Sequence, residues 1–395
     1  MSSLTFRTVF HGFRATAIPR NILRNPATIC ARSLYSAHSL GLDRFNEDRQ
    51  RVFAHLGPRK AEYFSQFWES FKEDRKSSET MVFTGDLKNV VQLSETDEDI
   101  ELCIRMMRIF HKQNQDLRFG TFSFGPVVLR LLYVLDKPDV VIQVLKDPEL
   151  HGFFDQTASY QLAMDLLYKR ARYQEVIDLF EHMRSRQVFG TRFPRDCVVL
   201  VLGACYQLGT RGAYDFALKL VAEGRESGAR ILRKGLTFTA ALALKMQEPK
   251  VAMELLALTA QMNYISVRNL RLIALSHMDL YEEIFLVLRS IVHQYHHLRH
   301  DHSGICPDTI DRIRENLEKK GDPERLQLFS QLQRALKEGN HISEDSLDEV
   351  LERPMEHKSR DTNPPLAMFK ERTIRPPPSL RPRSPPSDVG SSSKD

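Results

Sequence analysis

The feature that most constrains the fold is a pair of segments that recur along the chain at one fixed offset. Leu131–Tyr133 recurs as Leu166–Tyr168, and Val141–Leu145 recurs as Val176–Phe180, each 35 residues later. A period of this size is typical of repeated supersecondary units, each too small to bury its own apolar face, which stack on their neighbours to do so. The chain is therefore predicted to be a repeat protein.

Each repeated unit is predicted to contain two helices. In the clearest copy the apolar residues follow the i, i+3, i+4, i+7 spacing of one helix face twice, and a polar stretch, Lys169–Arg172, separates the two stripes. The stripes are Tyr160, Ala163, Met164 and Leu167, then Val176, Leu179, Phe180 and Met183. Because a short connection makes consecutive helices antiparallel neighbours, the unit is a helical hairpin.

Weaker copies extend the array, and they set the expected organisation of the chain. Tyr281–Ile284 echoes Tyr173–Val176 after three steps of about 36 residues, with Val251–Leu256 as a similar helix between them. The sequence thus predicts an all-α fold, a right-handed α-solenoid of helical hairpins. We expect leading helices at 37–79, degenerate repeats at 80–300 with the clearest copy at 157–191, and C-terminal helices at 301–352, where Asp308 is a candidate N-cap.

The N-terminal stretch has the composition of a mitochondrial transit peptide. The first acidic residue is Asp43, and five arginines precede it among serines, threonines and scattered apolar residues: Arg7, Arg14, Arg20, Arg24 and Arg32. A secretory signal would need a compact apolar core, which these recurring arginines interrupt. We therefore assign 1–36 to a cleaved presequence, with removal near Leu34 to Ser36 and the mitochondrial matrix as destination. An N-terminus without a targeting role is the alternative.

Processing would also change the charge of the chain. The formal net charge is +5, which equals the charge of those five arginines, so the mature protein is expected to be nearly neutral. A protein that binds polyanions through bulk charge should be strongly basic. Any nucleic-acid binding must then come from a local patch.

The remaining composition excludes several classes of protein. Beyond Cys30 the cysteines are Cys103, Cys197, Cys205 and Cys306, without the paired spacing of a zinc module or a disulfide framework. The sequence contains no run of about 18 apolar residues, so no membrane span is predicted. The proline-, arginine- and serine-rich tail, 353–395, is predicted to be disordered, either as an inert extension or as a basic tether for RNA or a partner.

The clearest copy resembles the pentatricopeptide repeat motif. The resemblance lies in Ala158–Gln161, Leu166–Lys169 and Tyr173–Arg184, which match the family's TYN start, LCK-type helix end and EEALELFEEM helix. It implies a pentatricopeptide- or tetratricopeptide-like superhelix that binds single-stranded mitochondrial RNA along its concave face, reading about one base per repeat. By the same resemblance Gln161 and Thr191 fall at or near the two base-reading positions. Val199 occupies that place in the next repeat and offers no hydrogen bond to a base.

Two groups of basic residues are candidate RNA contacts. Guanidinium groups can pair with phosphate or stack on bases, and such groups cluster at the ends of two consecutive repeats. The first group is Arg184, Arg186, Arg192 and Arg195; the second is Arg225, Arg230, Arg233 and Lys234. The alternative for both is a solvated helix end stabilised by the helix dipole.

We predict no metal site, no cofactor and no catalytic centre. His293, His296, His297, His300 and His302 include i, i+4 pairs, but the glutamate of a metalloprotease helix is missing, and a polar helix end or an RNA contact explains them as well. Asp97, Glu98, Asp99 and Glu101 are interpreted as a helix start. Without a second domain to supply converging carboxylates, a nuclease is not indicated.

The sequence is therefore compatible with two functions. The first is an RNA-binding factor in the processing and maturation of mitochondrial transcripts, which supports the respiratory chain and leaves any cleavage to a partner. The second is a protein-interaction scaffold on the mitochondrial ribosome or an RNA-processing complex, because helical solenoids bind proteins as readily as RNA. Family resemblance favours the first; near-neutral charge and the poor base-reading positions favour the second. Neither requires a small-molecule substrate.

Overall fold

A computed structural model describes residues 33–73, 81–117, 122–186, 191–260, 263–293 and 304–355. All of them belong to one compact unit, and the second unit of the chain, His357–Asp395, lies outside the described residues. In the described ranges the regular structure is helical, apart from two isolated parallel bridges, Tyr35 with Met355 and Ile305 with Ile342. The predicted all-α class is therefore confirmed.

The helices follow one another in pairs along the chain. In order they are α1 Leu42–Leu56, α2 Lys60–Glu73, α3 Thr84–Leu93, α4 Asp97–Leu117, α5 Gly125–Val134, α6 Pro138–Lys146, α7 Thr157–Lys169, α8 Tyr173–Ser185, α9 Arg195–Leu208, α10 Arg211–Glu226, α11 Arg233–Lys245, α12 Pro249–Ala257, α13 Ile265–His277, α14 Tyr281–His293, α15 Pro307–Lys320, α16 Pro323–Glu338 and α17 Leu347–Glu352. The pairs α3/α4 to α15/α16 form the stacked hairpins, with α1 and α2 as the leading helices.

Tight turns within the hairpins depend on residues with positive φ. The predicted break at Lys169–Arg172 is such a turn, where Ala171 has φ 56° between α7 and α8. Asp136, Gln247 and Asp279 hold the same left-handed conformation in three other hairpins. A left-handed residue ends a helix by turning the chain away from it, so each second helix can run back along the first.

The first helices of the hairpins form an inner layer that is buried on all sides. Burial is continuous over Leu162–Tyr168 in α7, Cys197–Tyr206 in α9 and Gly235–Leu244 in α11. In α13 every residue of Ile265–Ser276 is buried except Arg271, which is partly buried. In the second helices burial follows the helical spacing instead, as in α8 with Val176, Ile177, Leu179, Phe180 and Met183. A helix that is apolar all round is covered on every face. The inner layer therefore has neighbours on both sides.

Two local predictions have clear outcomes. The acidic cluster starts α4 as expected, with Asp97, Glu98 and Asp99 in its first turn. The assignment of Asp308 as an N-cap is wrong, because Cys306 occupies the N-cap of α15. The Asp308 carboxylate instead accepts a hydrogen bond from the Leu347 backbone N–H at 3.0 Å, so it holds the start of α17.

Candidate nucleic-acid interface

The connection between α8 and α9 carries the first two exposed arginines of the predicted interface. Arg192 and Arg195 are both exposed, one on either side of Phe193 and Pro194. The ring of Phe193 turns inward and lies under the Arg184 guanidinium, with 5.2 Å between the guanidinium carbon and the ring centroid. The anchored Phe193 holds the connection on the body, and its two arginines remain open to solvent.

Arg184 and Arg186 are placed differently from Arg192 and Arg195. The Arg184 guanidinium lies 2.5 Å from Glu223 and 2.9 Å from Glu181, and its side chain is 12% exposed. Arg186 is equally enclosed and lies 3.2 Å from Asp155. Because both side chains are enclosed and lie beside carboxylates, their guanidinium groups are less accessible to a phosphate than those of Arg192 and Arg195.

The connection between α10 and α11 meets the previous one at Gly224. A Cβ built on Gly224 would lie 3.2 Å from Ile231 and 3.8 Å from Phe193, so side chains of both connections pack at this point. Arg225, next to Gly224, and Arg230, next to Ile231, are exposed. Among the described residues, neither these two nor Arg192 and Arg195 form an ion pair. We call Arg192, Arg195, Arg225 and Arg230 the arginine edge.

Arg233 and Lys234 contact other parts of the chain. The Arg233 guanidinium lies 3.3 Å from the centroid of the Tyr264 ring. The Lys234 ammonium donates a hydrogen bond to the Arg353 carbonyl, and burial lowers the pKa of Lys234 to about 8. The two residues are thus near the arginine edge in sequence, but they help to join α11 to its neighbours.

The base-reading positions are largely enclosed. Gln161 is half-buried at the start of α7, and its amide nitrogen is buried without a hydrogen-bond partner in the described part of the chain. Val199 is fully buried in α9. Thr191 is exposed, and its hydroxyl accepts a hydrogen bond from the Phe193 N–H at 3.3 Å. Of the three, Thr191 alone lies on the open side of the connection with the arginine edge.

The first described residues of the chain, 33–36, cover part of the inner layer at α7 and α9. Leu34 and Tyr35 are buried, although they fall within the range assigned to the presequence. The Leu34 N–H donates to Asp165 of α7 at 3.2 Å, and the Tyr35 hydroxyl lies 3.1 Å from the Asp196 carboxylate of α9. The folded body therefore begins no later than Leu34.

The last described residues lie beside the first. The Met355 N–H donates to the Leu34 carbonyl at 2.8 Å, and α17 packs on α11, α13 and α15. The Tyr206 hydroxyl at the end of α9 donates to Asp348 of α17, and Gln207 donates to Glu352. We call residues 33–36 and 347–355 the terminal cover. Sequence reasoning missed it, although one signal was present: Asp165 interrupts the apolar run Leu162–Leu167.

The structure offers little support for other kinds of site. Within the described ranges no cluster of His, Cys, Asp or Glu could hold a metal ion; beyond His293, the predicted histidine group lies outside those ranges. The four described cysteines are buried thiols, and burial raises the pKa of Cys103 and Cys205 to about 12, which disfavours a nucleophilic thiolate. Across the described residues, none of the helices has both the length and the apolar composition to cross a membrane.

Comparison with known proteins shows what the chain is similar to. No family model matches the chain. Pentatricopeptide repeat-containing protein 2, mitochondrial, of Xenopus laevis is 30% identical over 217 residues, which is 55% of each chain. The protein of the same name from Homo sapiens is 24% identical over 87% of both chains. The one from Mus musculus is 24% identical over 93% of this chain and 96% of the relative. The chain therefore resembles a mitochondrial pentatricopeptide repeat protein over most of its length, in agreement with its helical repeat architecture.

Proposed function

We propose that the protein is an RNA-binding factor of the mitochondrial matrix that acts in the processing and maturation of mitochondrial transcripts. The observation that carries this proposal is the arginine edge, where four exposed arginines occupy two consecutive connections that meet at Gly224. Exposed guanidinium groups bind phosphate strongly and without regard to base sequence. The protein binds the RNA, and a partner supplies any cleavage.

The mode of binding follows from which surfaces are open. The inner layer from α7 to α13 is buried, and the terminal cover lies across part of it. A single strand therefore runs along the arginine edge, where its phosphates meet Arg192, Arg195, Arg225 and Arg230. Contacts of this kind position the strand and read few bases. Thr191 is the exposed polar group on this open side, and the half-buried Gln161 of the preceding hairpin is the second residue that we propose for a base contact.

The salt dependence of RNA binding tests the arginine edge directly. We would replace all four arginines with Gln and measure binding of a single-stranded RNA by fluorescence anisotropy over a salt series. Each phosphate contact that is lost should flatten the log–log slope by about 0.7, and affinity should fall for all sequences alike. Far-ultraviolet circular dichroism should remain unchanged, because these side chains are exposed.

A matched variant controls for the loss of charge. Replacing Arg51, Arg59, Arg211 and Arg334 with Gln removes the same charge from exposed positions elsewhere. We expect this variant to keep the parental slope. Equal slopes for the parent and the edge variant, or equal losses in both variants, would show that the edge does not bind phosphate.

The base contact of Gln161 requires a separate measurement. Gln161→Ala should alter preference among short homopolymers and leave the salt slope as it was, because the change removes a polar group but no charge. Unaltered preference would show that this amide has no part in base reading.

The buried inner layer favours a second candidate function, a protein-interaction scaffold. A family member whose inner helices are covered has no groove along which to read an extended RNA, and its outer surface remains available to proteins. Crosslinking in intact mitochondria, followed by sequencing of the bound RNA, separates the two. An enriched transcript supports the RNA-binding factor. Cosedimentation with ribosomal subunits without any enriched transcript supports the scaffold.

A further inference from the structure

Asp165 is a carboxylate inside the apolar inner layer. Its side chain is 0% exposed and lies between α7 and the first residues of the body. It accepts hydrogen bonds from the Ser33 hydroxyl at 2.7 Å, the Leu34 backbone N–H at 3.2 Å and the Tyr133 hydroxyl at 2.8 Å. All three donors are neutral.

A buried carboxylate surrounded by neutral donors is unusual, because buried charges normally have a counter-ion. Burial raises the pKa of Asp165 to about 6, and these hydrogen bonds, together with the Tyr35 backbone N–H, oppose that rise only in part. Within the described ranges Asp165 has no ion pair. The Asp165 charge has a weak electrostatic effect that raises the pKa of Lys234. The Lys234 ammonium itself donates its hydrogen bond to the Arg353 carbonyl of the terminal cover. Tyr35 and Tyr168, the other titratable groups affected by Asp165, are neutral phenols.

The donor at 3.2 Å belongs to a residue at the end of the presequence. Residues 1–32 contain five arginines and no acid. Leu34 and Tyr35 are buried in the body, so cleavage beyond Leu34 would remove side chains that the inner layer packs against. The junction between leader and body thus falls next to Asp165.

We propose that Asp165 binds the new N-terminus created when the leader is removed. A processing peptidase hydrolyses the Ser33–Leu34 peptide bond with one water molecule, so that Ser33 leaves with a new carboxylate and Leu34 keeps a protonated α-amino group. The Leu34 nitrogen is already 3.2 Å from the Asp165 carboxylate. The α-ammonium therefore forms a buried ion pair without rearrangement, and it supplies donors that replace the hydroxyl of Ser33.

The ion pair would fix the terminal cover. The Leu34 side chain packs on Gly203 of α9, where a Cβ would lie 3.0 Å from a Leu34 methyl group. Its carbonyl accepts the Met355 N–H at 2.8 Å. Holding the Leu34 nitrogen on α7 thus also holds the C-terminal part of the cover. The inference is independent of RNA binding, since it concerns how the body closes.

A thermodynamic cycle tests the pair. Chains beginning at Met1 and at Leu34, the latter released from a cleavable fusion without extra residues, are each prepared with Asp165 and with Asp165→Asn. We expect the Leu34-first chain to melt several degrees above the Met1-first chain with Asp165, and this difference to vanish with Asn. A chain beginning at Ser33 should lie between the two. Equal differences in the Asp and Asn backgrounds would overturn the proposal.

A second measurement does not depend on the folding of the Asn variant. In the Leu34-first chain labelled with ¹⁵N-leucine, the α-amino nitrogen resonates far from the backbone amides, and its chemical shift is followed through a pH titration. A free α-amine has a pKa of about 8, and a paired one titrates higher because the carboxylate favours the charged form. A value at or below that of a free α-amine would show that no pair forms.

The protein in its own compartment gives the last test. Mass spectrometry of N-terminal peptides from intact mitochondria should find a mature chain that begins at Leu34. A mature chain that keeps several residues before Ser33, or begins after Tyr35, would refute the assignment of the new terminus.

Discussion

Gly203 in α9 illustrates how tightly single residues of the inner layer are packed. A Cβ at this position would lie 3.0 Å from Leu34, 3.2 Å from Tyr168 and 3.3 Å from Phe238. These contacts come from the N-terminal segment, α7 and α11, so one hydrogen atom in place of a methyl group lets three elements meet. Two of the neighbours are rings and the third is a methyl group of Leu34, and all three side chains are fully buried, so they have little room to move aside.

Gly203→Ala is therefore expected to destabilise the protein although alanine favours helices. Overpacking of this kind costs about 1–3 kcal/mol. Gly212→Ala is the matched control, because Gly212 is also helical and a Cβ there meets nothing within 4 Å. Urea denaturation should show a lower free energy of unfolding for the first variant and an equal or higher one for the second. Similar effects in both would mean that the inner layer is loosely packed.

The pH dependence of stability provides a test of Asp165. Its pKa is about 6 in the chain that still carries the leader, above the value of about 3.9 for an unfolded chain. A raised pKa means that the folded state prefers the protonated form. The stabilising contribution is therefore complete below about pH 4 and is lost as the pH rises through about 6.

The comparison is made with Asp165→Asn in the unprocessed chain. The free energy of unfolding of the parent, minus that of the variant, should fall by about 1.4 kcal/mol per pH unit between about pH 4 and pH 6. Denaturant titrations at several pH values measure it. Parallel curves for parent and variant would contradict the buried carboxylate. In the processed chain the α-ammonium lowers the folded-state pKa of Asp165 toward or below its unfolded value, so the fall should become smaller or turn into a rise with pH.

Among the elements, α17 shows a helix that is stable through its contacts. It has six residues, too few for an isolated helix to persist in water. A capping box between Ser346 and Glu349 closes its first turn, and Leu347, Val350 and Leu351 are buried. After it, the Arg353 carbonyl accepts from Lys234 and the Met355 N–H donates to Leu34. The body thus extends four residues past Leu351, into the range assigned to the tail.

Truncation should separate the body from the tail. A chain that ends at Glu356 is expected to melt at the temperature of the full chain, whereas one that ends at Leu351 should melt lower because it loses the contacts of Arg353 and Met355. A chain that ends at Ser343 also lacks α17, and its melting temperature should be lower still. Differential scanning calorimetry gives the three values. Equal melting of the Leu351 and Glu356 chains would show that residues 352–355 contribute nothing.

The elements also show what local sequence can predict. The hairpin at 157–191 followed from apolar spacing, because a helix buries one face at a fixed period. The pairing of Arg184 with Glu223, and of Leu34 with Asp165, joins residues far apart in sequence, and no local pattern encodes such pairs. The sequence shows four basic residues in each of the two candidate groups. Whether a guanidinium group of these residues is exposed or pairs with a carboxylate depends on side chains of the following repeat, as with Arg184 and Glu223.

At the scale of the whole molecule, the open and closed surfaces are distributed unequally. The arginine edge is exposed, whereas the inner layer is enclosed by the second helices and by the terminal cover. Without the five arginines of 1–32 the chain would be nearly neutral, with little bulk charge to attract RNA, so the proposed binding depends on this edge. Sequence similarity to the family did not predict that the terminal cover encloses the inner layer. Val199 and its neighbours in the sequence show only that base-reading groups are missing.

Hydrogen–deuterium exchange should map these surfaces. Saturating single-stranded RNA is expected to slow exchange at 191–195 and 225–231, and to leave the slow exchange of α9 and α11 unchanged. The edge variant with four Gln residues serves as the control, and it should show no slowing. Faster exchange at 33–36 and α17 when RNA is added would contradict this arrangement, because it would mean that RNA displaces the terminal cover.

The contact between Leu34 and Met355 has a consequence for the order of events during biogenesis. A protein drawn into an organelle by its N-terminus delivers Leu34 early and Met355 among the last residues, so the bridge that joins them cannot form until almost the whole polypeptide has crossed. During that interval the apolar inner helices have incomplete shielding. A chain imported in this way would be prone to aggregation until its C-terminal segment arrives, because transiently exposed apolar surface associates readily.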